Sequence, residues 1–187
     1  MNIRILILSA LCIATISFSQ KAEARPFTRN CPSHADTNFQ EIVDYMESNM
    51  AAVRAIYEAD NSYHPRRGAN RRVERRLDRG RKLDRLWFDC DADDTPLCKN
   101  ADARHAMGAA SRKIRICYNK VRERTLAPDG RGFCSLMSLV AHEFGHAVGM
   151  KKDRAGNHSR NQNDRVYRWG WAWRDFCIDN GHDRELD

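Results

Sequence analysis

The sequence predicts an α+β fold, predominantly helical, with one small sheet and a disulfide framework. Three observations predict it. Apolar residues recur at threes and fours between Asp36 and Asp60. They alternate with charged residues between Arg112 and Asn119. A helix with unlike faces is legible from Ser135 to about Gly149 or Met150.

The chain has 187 residues, which fits one domain with a real core. Its first segment reads as a leader. Arg4 precedes an uncharged apolar run, Ile5 to Phe18, that is short for a membrane span. Cleavage is expected after Ser19, or as late as Ala24, leaving one domain from residue 20 to 187 with no transmembrane segment. Export to the extracellular space or periplasm follows. Cys12 leaves with the leader, so seven cysteines become six: Cys31, Cys90, Cys98, Cys117, Cys134 and Cys177. An even count in an exported chain predicts up to three disulfides, and the spacing does not choose among the pairings.

The first helix spans Asp36 to Asp60, with Asp36 or Thr37 as its cap. Phe39, Ile42, Val43, Met46, Met50, Val53 and Ile56 form its apolar stripe. The segment Ser62 to Asn70 breaks it. A second, very basic helix is expected from about Arg71 to Leu86. Leu86 to Cys90 reads as a short strand, and Asp91 to Ala103 as a loop. In Arg112 to Asn119, Ile114, Ile116 and Tyr118 mark the buried side of a strand. The turn-rich run Ala127 to Cys134 leads to the next helix.

The leader holds only Arg4 of the 32 basic residues and none of the 25 acidic ones, so the mature chain carries about +6. Much of that charge lies between Arg66 and Arg85. An anionic surface or nucleic acid is one partner such a stretch can take. A solvated helical face laced with Glu74, Asp78 and Asp84 explains it more simply.

The helix from Ser135 carries HEFGH. His142 and His146 are four residues apart, about 40° round the helix and one turn up, so both imidazoles can reach one ion. Small residues, Ser135, Ser138, Gly145 and Gly149, share their face, which reads as space left around the histidines. Met137, Val140, Phe144, Ala147 and Val148 form the back. Glu143 projects beside the histidines, where a general base for water attack on a peptide carbonyl belongs. Zinc with three protein ligands and an open fourth position is the expected cofactor.

Four positions offer a third ligand. The spacing HExxHxxGxxH/D puts Lys152 in the ligand place and Asp153 one residue too late. A glutamate on a later helix leaves only Glu185. His158 lies in a polar run. Asp164 precedes Tyr167 by three residues, so the two share a face on a helical turn. A carboxylate on the metal and a phenol donating to the oxyanion make a workable pair.

HExxH followed by Asp-x-x-Tyr resembles the aspzincins, the deuterolysin-like and lysine-specific metallo-endopeptidases. The cysteine-containing segment Trp87 to Cys98, the strand Arg112 to Val121 and the helix are similar to that family in order and spacing, and the resemblance covers roughly Leu86 to Gly170. It implies a zincin-like fold, zinc on His142, His146 and Asp164, Glu143 as general base, and Tyr167 as stabiliser of the transition state. Some relatives prefer lysine after the scissile bond through acidic side chains; Asp179 and Asp183 are the residues at hand, although a solvated acidic tail explains them as well.

The function expected from these residues is a secreted zinc endopeptidase acting as a monomer on proteins or peptides. The competing expectation is an exported basic binding protein whose metal site is structural or vestigial.

Overall fold

The structure is a computed structural model, which describes residues 26–59, 75, 77, 83, 86–105, 113–125, 132–150 and 165–186. The leader, most of the arginine-rich segment, and Lys152, Asp153, His158 and Asp164 lie outside the described residues.

The elements run β1 (Phe27–Arg29), α1 (Ser33–Ala59), β2 (Trp87–Cys90), α2 (Pro96–Asn100), β3 (Ala103–His105), β4 (Lys113–Ile116), α3 (Tyr118–Thr125), α4 (Gly132–Val148) and α5 (Arg165–Asp179). Among the described residues helix predominates, with one four-stranded sheet of order β1-β2-β4-β3. β1, β2 and β4 are parallel, and β3 closes one edge antiparallel to β4. No described helix is long and apolar enough to cross a membrane.

Helix α1 buries the stripe its sequence announces: Phe39, Ile42, Val43, Met46 and Val53 are wholly enclosed. The stripe ends differently from expectation. Ile56 is 51% exposed and Tyr57 is buried instead. Tyr57 lies four residues after Val53 and so continues the face. Its hydroxyl donates to the Arg165 carbonyl at 3.2 Å, and its ring meets Trp169 edge-on.

The parallel strands bury one face with Phe88, Ile114 and Ile116. Phe39 stacks on Phe88 with ring centroids 4.2 Å apart and meets Tyr118 edge-on, which joins α1, the sheet and α3. On the other face ion pairs cross the strands, Lys113 to Asp89 at 2.5 Å and Arg115 to Asp91 at 2.6 Å. Asn30, the one non-glycine residue with positive φ among those described (56°), also donates to Asp89. Burial raises the Asp89 pKa, but the hydrogen bond and charge of Lys113, helped by Asn30 and Arg29, outweigh it, and the net shift is downward.

Four short elements, β1, α2, β3 and α3, were not expected. β1 is three residues long, too short to alternate visibly. α2 stands inside the predicted loop Asp91–Ala103. Thr95 caps it, accepting from the Cys98 amide, and Pro96 opens it, a start signal present in the sequence. The predicted strand stops at Ile116, and Tyr118 opens α3 rather than extending the sheet. Leu86, the expected end of the basic helix, has no helical assignment, and its carbonyl accepts from the Phe27 amide where β2 begins.

All six cysteines among the described residues pair. Cys31–Cys90 ties the start of α1 to β2, Cys98–Cys117 ties α2 to the start of α3, and Cys134–Cys177 bridges α4 and α5.

Candidate metal centre

The helix that carries HEFGH begins at Gly132, three residues before the expected cap Ser135, which lies inside its first turns. The C-terminal tail takes over the capping: the Arg184 carbonyl accepts from the Phe133 amide, and backbone of Arg184 and Glu185 sits against Gly132. Glu185 therefore lies at the wrong end of α4. Ten residues separate Gly132 from His142, about 15 Å along a helix, which removes Glu185 as a ligand. Asp179, the last residue of α5, and Asp183 are exposed, as solvated acids are.

The other end of α4 is closed by a glycine turn. Gly149 has φ of 93°, its amide donates to the His146 carbonyl, and the Met150 amide donates to the Gly145 carbonyl. This is the Schellman pattern, with glycine where the left-handed conformation is needed. Met150 folds back so that its Sδ would stand 3.2 Å from a Cβ at Gly145.

That contact corrects one expectation. One of the four small residues, Gly145, leaves no open space beside the histidines. Gly145 is filled over by Met150, Val166 and Trp169. On α5, a Cβ at Gly170 would stand 2.8 Å from the Ser138 carbonyl oxygen and 3.4 Å from the His142 Cβ. The absent side chains let α5 lie close on α4. Val166, Trp169 and Trp173, all wholly buried, fill the contact, and Cys134–Cys177 pins its far end. Sequence reading missed the role of Gly170, although paired small residues on two successive helices signal such an approach.

His142 and His146 do share a face. Their ring centroids are 4.9 Å apart with planes at 87°. Two imidazoles on one tetrahedral zinc, with nitrogens about 2.1 Å from it, hold their centroids about 5 Å apart. The pair fits that requirement. His142 and Glu143 are buried, at 9% and 5% exposure, and His146 is half-buried. Tyr167, on the first turn of α5, brings its ring 4.5 Å from that of His142.

The structure thus brings together His142, Glu143, His146 and Tyr167. Among the described residues no group of three His, Cys, Asp or Glu side chains is assembled to hold a metal. Asp164, the residue before Arg165 at the start of α5, lies outside the described residues, as do Asp153 and His158. Comparison of the chain with protein-family models, with curated proteins and with solved structures returned no match in any of the three.

Proposed function

We propose that the chain is a secreted zinc-dependent metalloendopeptidase of aspzincin type, with a zincin-like fold over residues 20–187. The observation that carries this reading is the 4.9 Å spacing of the two imidazoles one helical turn apart, with Glu143 between them in sequence. Tyr167 beside His142 supports it, because Asp-x-x-Tyr is the segment that the resemblance singles out. The three disulfides support an oxidising compartment.

His142 and His146 would hold the ion, with Asp164 as third ligand. Asp164 is covalently next to α5, whose first turn faces His142 through Tyr167. A zinc ion held there would supply Lewis acidity and bring the pKa of a water on it towards about 7. Glu143 takes the proton of the attacking water and returns it to the leaving amine. The Tyr167 hydroxyl donates to the carbonyl oxygen as charge develops on it. Strand β3 ends the sheet order and packs on α4, so an extended substrate can add along it by backbone hydrogen bonds.

The test is zinc stoichiometry and casein cleavage by the oxidised mature chain. Glu143→Ala should keep zinc and lose activity by roughly 100-fold or more. Asp164→Ala should lose both, while Asp153→Ala and His158→Ala keep both. Equal cleavage by wild type and Glu143→Ala defeats the mechanism. Full zinc occupancy with no cleavage by the wild type favours a structural metal in a binding protein.

A further inference from the structure

Helix α5 carries three tryptophans at alternate positions, and they do different work. Trp169 and Trp173 are one turn apart, wholly buried, and meet edge-on at 5.8 Å. They belong to the core. Trp171 lies about 200° round the helix from each, is half-buried and stands outside the core cluster. Among the described residues Tyr167, four residues earlier on the same stripe, is its ring neighbour, with centroids 6.0 Å apart and planes at 43°. Tyr167 in turn faces His142 at 4.5 Å. A line of rings therefore leads from the histidine pair along one flank of α5.

The flank stays aromatic only near the histidines. One turn further on, Arg174 and Asp175 occupy it and pair with each other at 2.8 Å. The core does not require a third tryptophan, and a solvated flank is ordinarily polar, as this one becomes. The aromatic part is confined to the turns beside the candidate centre.

We propose that Trp171, with Tyr167, forms a wall that selects a large apolar side chain on a substrate residue flanking the scissile bond. This rests on the peptidase reading above. Tilted rings about 6 Å apart offer faces and edges to aliphatic and aromatic groups, whereas a methyl or carboxylate side chain gains little from them. The stripe offers no carboxylate from Tyr167 to Trp171, so it selects by apolar contact and not by charge.

The test uses the oxidised, zinc-loaded mature chain and quenched peptides that differ only at the residues flanking the cleaved bond: Phe, Leu, Ala, Lys or Glu. The expected kcat/KM for Phe or Leu exceeds that for Ala by roughly tenfold or more. In Trp171→Ala that ratio falls towards one, and Trp171→Phe retains most of it. A flat profile in the wild type, a preference for Lys or Glu, or a ratio unmoved in Trp171→Ala overturns the wall. Glu143→Ala is run alongside. Cleavage that persists in it, or no cleavage by any form, defeats the peptidase reading and the wall together. Glu143-dependent cleavage with unchanged selectivity defeats the wall alone.

Discussion

The ring of Tyr167 lies 4.5 Å from the ring of His142, across the contact between α4, which ends at Val148, and α5, which begins at Arg165. Tyr167 is half-buried and Gly170, on the next turn, is packed against the Ser138 carbonyl, so the phenol is held by a close helix–helix contact. Tyr167→Phe keeps the ring and removes only the hydroxyl. On the proposed mechanism, loss of this oxyanion donor should lower kcat by roughly 100-fold with little change in KM. Steady-state kinetics on one peptide checks this, and a fall confined to KM would assign Tyr167 to substrate packing.

Gly170→Ala tests the helix contact itself. The new Cβ would stand 2.8 Å from a backbone oxygen, which cannot rotate away. Overpacking of this kind should cost about 1–3 kcal/mol, at roughly 2–4 °C in Tm per kcal/mol for a chain of this size. Ser138→Ala in the same background should not restore stability, because the opposing atom belongs to the main chain. Thermal unfolding followed by circular dichroism reads both.

The bridge Cys134–Cys177 closes a separation of 43 residues, and Cys98–Cys117 one of 19. Removing either as a Ser pair should cost about 2–4 kcal/mol. On loop closure alone the longer one should cost about 0.7 kcal/mol more. Denaturant midpoints of the two double variants decide the order. On the proposed reading the Cys134–Cys177 variant should also lose zinc affinity, since the bridge no longer pins α5 against α4.

Asp89 makes acid stability predictable in sign. Its folded pKa lies below its unfolded value, about 3.9, so its contribution is complete above that value and is lost as pH falls through the folded pKa. Asp89→Asn should therefore lower stability at neutral pH and flatten the loss below about pH 4. Unfolding midpoints measured from pH 2 to 7 check it, and parallel curves for the two proteins would contradict it.

Local signals determined much of what this chain does. The stripe from Phe39 to Val53, the alternation at Ile114 and Ile116, and the helical spacing of His142, Glu143 and His146 are short-range patterns, and a helix or strand turns them into faces without help from distant residues. The even cysteine count likewise announced bridges. Partners distant in sequence were decided only by tertiary structure. The pairing of Cys31 with Cys90, the exchange of Ile56 for Tyr57 at the end of α1, and the filling of Gly145 by Met150 and α5 depend on which surfaces meet. The approach of Tyr167 to His142 is of the same kind. A glycine on a helix face reads equally as open space or as close contact. Packing density resolves the two, because an interior leaves no void where a neighbouring helix can lie.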